Sequence, residues 1–221
     1  MSRLPASERR EQLLDCALEQ FARHGYARAT TAQLAKAAGV TEPIIYRHFK
    51  SKRDLFVALI ERTGRRTLQQ WSADLATSAD PAERLRRLIG DNPMVSGDGR
   101  TAYRVFLQAI TEANEPPIQA ALEHHITQVR TFLQHELEEA QNAAQVTHRF
   151  SAELLAKLLV HLGMGYGVMA AMRVDSHGED EAGRHVQEII ARVLVGRRGR
   201  SEQPKSGPSD AGDSPNTPPT A

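Results

Sequence analysis

The stretch TTAQLAKAAGVTEPIIYRHFKSKRDLF, residues 30–56, decides the fold of this chain. It begins with the capping pattern T-x-x-Q, formed by Thr30 and Gln33, in which each side chain satisfies a backbone N–H at the start of a helix. Gly39 follows the short run AQLAKAA and is the residue type that most often ends a helix. The pattern predicts a short helix over residues 31–38 that is closed by a tight turn.

A second short helix is predicted over residues 41–49, directly after this turn. Thr41 is a favourable capping residue, and Pro43 falls in the first turn, where a missing N–H is tolerated. The S-x-x-D pattern of Ser51 and Asp54 then starts a long helix. Two short helices joined by a tight turn are typical of a helix-turn-helix motif.

Residue spacing sorts the side chains of the second short helix. Ile45 and Phe49 are four residues apart, so both are predicted to face a small core with Leu34 and Phe21. In helix-turn-helix proteins the N-terminal residues of this second helix lead into the DNA major groove. A phenol, an imidazole and two ammonium groups near its end suit contacts with phosphates: Tyr46, His48, Lys50 and Lys52. A merely solvated helical hairpin is the alternative, and the agreement of capping, turn and burial patterns favours DNA binding.

The rest of the chain is also predicted to be helical, because no stretch shows the sustained alternation of a strand. Further helices are predicted over residues 7–24, 51–71, 81–90, 100–113, 116–141, 148–173 and 179–196. With the two short helices they make an all-α protein of about nine helices. From residue 199 the composition shifts to Ser, Pro, Gly and Asp, so residues 199–221 are predicted to form a disordered tail.

Charge is distributed unevenly along a chain whose net charge is only +1. Residues 1–70 carry 13 Lys and Arg against 7 Asp and Glu, a net +6, and residues 71–221 carry 15 against 20, a net −5. A basic N-terminal part suggests a polyanionic partner there. Since no run resembles a membrane span or a signal peptide, we expect a cytoplasmic protein without a membrane partner. The single cysteine, Cys16, excludes an internal disulfide and is predicted to be buried.

Residues 30–56, together with EQLLDCALEQFARHGYARAT at residues 11–30, resemble the N-terminal domain of the TetR family of transcriptional regulators. The resemblance covers about residues 8–60. It implies a homodimer in which each N-terminal three-helix domain places one recognition helix in the groove of a double-stranded DNA operator. Contacts with base edges or adjoining phosphates are implied for Gln33, Thr41, Glu42, Pro43, Ile44 and Tyr46. Contacts with the DNA backbone are implied for Thr30, Thr31, His48, Lys50 and Lys52. Glu42 has two interpretations, since it can accept from cytosine N4 or only stabilise the helix start.

The resemblance also implies a helix-turn-helix domain at residues 1–50 and a larger helical domain at 51–198 that dimerises and binds an effector. The candidates for the dimer interface are Leu158, His161, Leu162, Val186, Ile189, Ile190 and Val193. The candidates for the effector pocket are Trp71, Met94, Tyr103, Phe106, Leu107, His125, Phe132, Met164 and Tyr166. Because this set is mostly apolar, we expect a small, mostly apolar effector, with ordinary core packing as the alternative for each residue. No cofactor and no metal are expected.

Two other features of the C-terminal part have a structural and a functional interpretation. The glycines Gly163, Gly165 and Gly167 favour a close approach between helices over room for a ligand. The pair His124-His125 is predicted to be solvated rather than to orient a ligand.

Signatures of enzymes are absent, because the sequence contains no P-loop, no G-x-S-x-G and no H-E-x-x-H. Glu181, His185 and Glu188 share a helix face at a spacing compatible with a metal, and a solvated face is the simpler interpretation. The favoured hypothesis is a homodimeric repressor that a small effector releases from a palindromic operator. The alternatives are an effector-independent or activating regulator, and a helical metal or small-molecule enzyme.

Overall fold

A computed structural model of the chain describes residues 4–90, 99–172 and 188–190. These ranges contain no strand and the following helices: α1 (Ala6–His24), α2 (Thr31–Ala37), α3 (Glu42–His48), α4 (Lys52–Leu75), α5 (Pro81–Gly90), α6 (Gly99–Thr111), α7 (Pro116–Asn142) and α8 (Ala152–Ala171). Residues 188–190 are helical too. The predicted all-α fold is confirmed. The predicted tail and most of the predicted helix over 179–196 lie outside the described residues.

The start of α8 differs from the prediction, since the helix begins at Ala152 and not at residue 148. The Gln141 side chain at the end of α7 donates to the carbonyls of Thr147 at 2.8 Å and Phe150 at 2.9 Å, which holds residues 147–150 in a turn. The hydroxyl of Ser151 then accepts from the backbone N–H of Leu154 and caps α8.

A first hydrophobic core joins the N-terminal helices to α4, α6 and α7. Phe21 of α1 and Phe56 of α4 meet edge to face with ring centroids 5.3 Å apart, and both are fully buried. Phe106 of α6 and Ile118 of α7 belong to the same core. The core therefore crosses the predicted domain boundary at residues 50/51, and the boundary itself stays a prediction. Cys16 is only half-buried against this core, and desolvation by burial raises the pKa of its thiol.

A second hydrophobic core lies between the C-terminal half of α4 and helices α5, α7 and α8. Trp71, Leu85, Leu137 and Leu155 each contribute a buried side chain from one of these four helices. The carboxylate of Glu136, which is 2% exposed, forms an ion pair with Arg84 of α5. Removing one partner of such a buried pair is strongly destabilising, so the pair fixes α5 against α7.

Within one chain, Gly163 and Gly165 of α8 do not contact another helix closely. A Cβ atom added at either position would meet no neighbouring side chain or helix within 4 Å, so the predicted close approach stays a prediction there. Over residues 152–169 this helix is long and apolar enough to cross a membrane, with 22% of that window buried, which is weak evidence by itself. Among the described residues it is the one helix with this property.

The pair His124-His125 is split between solvent and core. His124 is exposed as predicted, and the prediction is wrong for His125, which is 3% exposed. The ring of His125 packs against Gly64 of α4 so closely that a Cβ at Gly64 would lie 2.5 Å from Nδ1. Its Nε2 is 3.2 Å from the hydroxyl of Tyr103, and its ring centroid is 4.4 Å from that of Phe106. Only a glycine on α4 permits this contact between α4, α6 and α7.

Burial lowers the pKa of His125 to about 4, and the nearby His124 acts in the same direction. In the unfolded chain this imidazole titrates near about 6.5, so the unfolded state binds more protons between the two values. We therefore predict that His125 makes the free energy of unfolding fall by up to about 3 kcal/mol as the pH drops from 6.5 to 4. Chemical denaturation across this range should show a flatter pH dependence for His125→Gln, whereas His148→Gln, at an exposed position, should follow the wild type. Parallel curves for His125→Gln and wild type would contradict the prediction.

Candidate nucleic-acid interface

The start of α2 is fixed by the predicted capping box. The Thr30 hydroxyl accepts from the backbone N–H of Gln33 at 3.2 Å, and the Gln33 amide oxygen accepts from the backbone N–H of Thr30 at 3.0 Å. Two N–H groups that have no partner within the helix are thereby satisfied. Both side chains are exposed at the beginning of α2, and the amide oxygen of Gln33 is committed to the cap.

The turn between α2 and α3 depends on Gly39, which has a φ of +65°. The N–H of Gly39 donates to the carbonyl of Lys36, and the N–H of Val40 donates to the carbonyl of Ala35. These two bonds form a Schellman motif, which requires a left-handed residue at the position of Gly39. The motif ends α2 and redirects the chain into α3 within four residues.

Helix α3 is anchored by the two residues that its spacing predicted. Ile45 is 1% exposed and Phe49 is 2% exposed, and both lie in the first core with Leu34 and Phe21. The guanidinium of Arg10 lies 5.0 Å from the centroid of the Phe49 ring. Thr41 occupies the capping position, but its side chain makes no capping hydrogen bond. Apolar anchoring therefore holds α3 more than capping does.

The predicted DNA-contacting residues lie on or next to α2, α3 and the start of α4, and they differ in exposure. The exposed members are Thr30, Gln33, Thr41, Pro43, Tyr46 and Lys50. The half-buried members are Glu42, Ile44, His48 and Lys52, and Thr31 is buried. Arg47 and Lys36 are exposed cations on α3 and α2 that the predicted set omits. Both are cations, and this residue type is the sequence signal that could have placed them among the predicted phosphate contacts.

Lys50 is held at its backbone, with its side chain exposed. Its N–H donates to the Asp54 carboxylate at 2.8 Å, while the Ser51 hydroxyl accepts from the N–H of Asp54 at 3.0 Å. The predicted S-x-x-D cap thus forms on the serine side, and its carboxylate bonds to the residue before Ser51. This geometry places an ammonium group at the end of α3 in a fixed backbone setting, which suits a phosphate contact.

Lys52 has a different environment from Lys50. Its Nζ lies 3.0, 3.3 and 3.2 Å from the carbonyl oxygens of Tyr26, Ala27 and Ala29, and 4.5 Å from the centroid of the Tyr26 ring. An ammonium group has three N–H donors, so all of them have acceptors in this conformation. The ammonium therefore ties the start of α4 to the loop between α1 and α2, and its predicted phosphate contact stays a prediction.

Thr31, Glu42 and Tyr46 form a small network between α2 and α3. The Thr31 hydroxyl donates to the Glu42 carboxylate and lies 3.2 Å from the phenol oxygen of Tyr46. Because Thr31 is buried and its hydroxyl is bonded on both sides, it holds the two helices together, and its predicted contact with the DNA backbone stays a prediction. This network was not foreseen from the sequence, since nothing local links residue 31 to residues 42 and 46.

Gln108 connects this surface to the rest of the molecule. Its side-chain amide in α6 donates to the carbonyl of Phe21 at 2.9 Å and accepts from the N–H of Tyr26 at 3.1 Å. It therefore bonds to both sides of the turn at Gly25, where α1 ends. Arg53 at the start of α4 also pairs with Glu115, the residue before α7, at 2.7 Å.

The effector-pocket candidates fall into two groups. Tyr103, Phe106 and His125 touch one another, and Leu107 and Met164 pack partly buried against the first core beside them. Trp71 and Phe132 form a separate pair in the second core, with ring centroids 5.8 Å apart. Tyr166 is half-buried in α8, and Met94 lies outside the described residues. The candidates with described packing therefore lie in two separate cores, and the effector pocket stays a prediction.

Of the candidates for the dimer interface, Leu158, His161 and Leu162 are exposed on α8 and Ile189 is exposed as well. Ile190 packs partly buried against the second core. Val186 and Val193 lie outside the described residues. Glu181 and His185, two of the three residues at metal-compatible spacing, also lie outside the described residues. No group of three metal-ligating side chains occurs in the ranges that the structure describes.

Comparisons with known proteins concern mainly the surface around α2 and α3. The family model of bacterial regulatory proteins, tetR family, matches residues 13–59. The chain is 39% identical over 88 residues to the HTH-type transcriptional activator FasR of Mycolicibacterium smegmatis, which is 40% of each chain. It is 34% identical over 85 residues to the probable acrEF/envCD operon repressor of Escherichia coli K12, which is 38% of this chain and 39% of that one. The chain thus spans less than half the length of these curated relatives.

A solved structure extends the similarity to the larger helical part. A protein from Saccharomonospora viridis, solved in complex with choline, aligns with a TM-score of 0.78 and 26% sequence identity. The alignment covers 86% of this chain and 100% of that one. The fold of α4–α8 is therefore shared with a known protein as well as the fold of α1–α3.

Proposed function

We propose that this chain, whose residues 13–59 match the family model of bacterial regulatory proteins, tetR family, regulates transcription by binding a palindromic DNA operator as a homodimer. The observation that carries this proposal is the geometry of α2 and α3. The Schellman turn at Gly39 and the buried Ile45 and Phe49 leave one side of α3 exposed with Tyr46 and Arg47. In a helix-turn-helix protein this exposed side enters the major groove.

The two lysines near the end of α3 provide the sharpest test of this surface. Lys50→Ala should weaken binding to all DNA sequences alike and reduce the slope of log K against log salt concentration by about 1, because one phosphate contact is lost. Lys52→Ala is the matched comparison: it should lower the free energy of unfolding by about 1–3 kcal/mol, because three carbonyls lose a charged donor. Operator binding at several salt concentrations and denaturant unfolding measure the two effects.

Footprinting with the wild-type protein should show protection of a discrete palindromic site. Uniform weak protection of every sequence would refute the regulator proposal. An unchanged salt slope in Lys50→Ala would only remove Lys50 from the phosphate contacts.

The dimer that we propose forms through α8. Leu154, Leu158, Leu162 and Met169 are all at least 40% exposed, at spacings that place them along one side of the helix. Large exposed apolar patches mark protein or membrane contacts in soluble proteins. A second copy of α8 covers this row in the proposal, and the open space beside Gly165 on the same side admits a close approach.

Leu158→Glu should convert the dimer to a monomer, because it places two carboxylates in the apolar contact of the pair. Analytical ultracentrifugation of the full chain measures the change, and Gln119→Glu, which adds the same charge at an exposed position of α7, should stay dimeric. A Leu158→Glu protein that sediments like the wild type would contradict the proposed interface. Flotation of the wild type with phospholipid vesicles would instead assign the row to a membrane.

We propose further that a small, mostly apolar effector binds at the Trp71–Phe132 pair and releases the protein from its operator. The indole N–H of Trp71 and one carboxylate oxygen of Glu136 are buried and have no hydrogen-bond partner in the described part of the chain. Buried polar groups are nearly always bonded, so a ligand that accepts a hydrogen bond accounts for the indole N–H of Trp71. The Nδ1 of His125 is also buried without a hydrogen-bond partner in the described part of the chain, but it is pressed against Gly64, so that group is less suitable.

Trp71 is the single tryptophan of the chain, so its fluorescence reports directly on this site. Titration with a panel of small apolar and quaternary ammonium compounds should identify a ligand that shifts the emission and raises the melting temperature. Choline belongs in the panel because the similar S. viridis protein was solved with it. The same ligand should bind Trp71→Phe at least tenfold more weakly, whereas Phe150→Leu, at an exposed aromatic residue, should bind it normally.

A ligand that stabilises the protein without changing the emission of Trp71 would place the effector site elsewhere. If no compound affects the protein or its operator complex, the effector-independent regulator is the better hypothesis. Operator binding that strengthens with ligand would indicate an activator, the function named for the M. smegmatis relative.

A further inference from the structure

The network of Thr31, Glu42 and Tyr46 lies where the proposed interface meets DNA bases. Thr31 is the first residue of α2, and Glu42 is the first residue of α3, with Tyr46 one turn later on the same side. Thr31 is 9% exposed, Glu42 is half-buried and Tyr46 is 50% exposed, so the network runs from the helix contact out to the surface.

The direction of each hydrogen bond in the network follows from the number of available hydrogens. An ionised carboxylate only accepts, so the Thr31 hydroxyl must donate its single hydrogen to Glu42. The contact between Thr31 and Tyr46 then requires the Tyr46 hydroxyl to donate to the oxygen of Thr31. The chain of donation runs from Tyr46 through Thr31 to Glu42 and ends there.

This arrangement leaves the surface of the network without a hydrogen to donate. The carboxylate of Glu42 presents lone pairs, and the hydrogen of the Tyr46 hydroxyl is committed to Thr31. A phosphate oxygen also only accepts and carries negative charge, so it is repelled by Glu42 and has no hydrogen to receive from Tyr46 in this arrangement. The network therefore suits a partner group that donates.

Among the base edges of the major groove, cytosine suits such a surface best. Cytosine presents its N4 amino group as a donor, whereas guanine presents two acceptors and thymine presents one acceptor with a methyl group. Adenine presents a donor beside an acceptor, so a carboxylate meets both attraction and repulsion there. The geometry of the major groove allows a glutamate carboxylate to accept a hydrogen bond from cytosine N4.

We propose that Glu42, held in place by Thr31, selects cytosine at one position of each operator half-site. Thr31 is a positioning residue in this proposal, since it restricts the carboxylate to one orientation and keeps it directed away from the neighbouring phosphates. The proposal rests on the DNA-binding function proposed above and adds to it the residue that determines the base preference.

The test is a selection of binding sites from a random double-stranded library by the full-length wild-type protein and its variants. The wild type should enrich a palindrome with cytosine at one position of each half-site, and replacing that cytosine should weaken binding about tenfold or more. Glu42→Gln should lose this preference and favour adenine at the same position, because a glutamine amide pairs with adenine N6 and N7. The other positions of the palindrome should be unchanged.

Two variants of Thr31 separate positioning from a structural role. Thr31→Val removes the hydroxyl at nearly constant shape and should reduce the cytosine preference at that one position. Thr31→Ser keeps a hydroxyl and should restore the preference. A loss of melting temperature alone, with the preference intact in Thr31→Val, would show that the residue is only structural.

The outcomes distinguish this proposal from the function on which it rests. If the wild type enriches no sequence, the proposed regulator function fails. If the wild type enriches a palindrome and Glu42→Gln enriches the same palindrome with the same base ratios, only the role of Glu42 fails. Removing a negative charge strengthens binding to all DNA, so the ratio between bases, and not the affinity, is the quantity to compare.

Discussion

The turn at Gly25–Tyr26 is the point on which the arrangement of the helices depends. Gln108 bonds to the chain on both sides of this turn, and the ammonium of Lys52 donates to the carbonyls of Tyr26, Ala27 and Ala29. The Tyr26 ring stacks on Phe56 with centroids 4.3 Å apart. The loop that leads into α2 is therefore held by α4 and by α6 at once. A movement of α6 relative to α4 would strain the bonds that hold this loop.

This constraint explains why the surface around α2 and α3 and the larger helical part share a core. Phe21 and Phe106 are buried in one hydrophobic cluster although they belong to opposite sides of the predicted boundary. A packed core transmits a shift because it resists continuous deformation and changes between discrete arrangements. A ligand at Trp71 on α4 would act on the helix that carries Lys52 at its other end. The proposed effector and the proposed operator are thus linked by one helix.

The features that were predictable from the sequence are those with local causes. The capping box of Thr30 and Gln33 and the left-handed turn at Gly39 depend on residues within five positions of each other. Their patterns can therefore be recognised in the sequence alone. The environments of Lys52 and His125 could not be predicted from the sequence, because the residues that contact them are far away in the chain. Lys52 bonds to carbonyls 23–26 residues earlier, and His125 is buried only because Gly64 leaves room for its ring. Residue type alone suggested a phosphate contact for the one and solvent for the other.

Some cations of the N-terminal part have partners within the protein. Arg62 is 3% exposed and pairs with Asp15 at 2.7 Å and with Glu11 at 3.2 Å, and Lys52 is occupied by carbonyls. Arg62 holds α1 to α4 and Lys52 holds the following loop to α4, so two of the 13 cations of residues 1–70 stabilise the fold. Phosphate contacts contribute affinity without sequence preference. In the proposed interface, the carboxylate of Glu42 repels phosphates and lowers that affinity for every sequence. The difference in binding free energy between the operator and other sequences then becomes a larger share of the total. A regulator that must find one operator among many competing sites requires this.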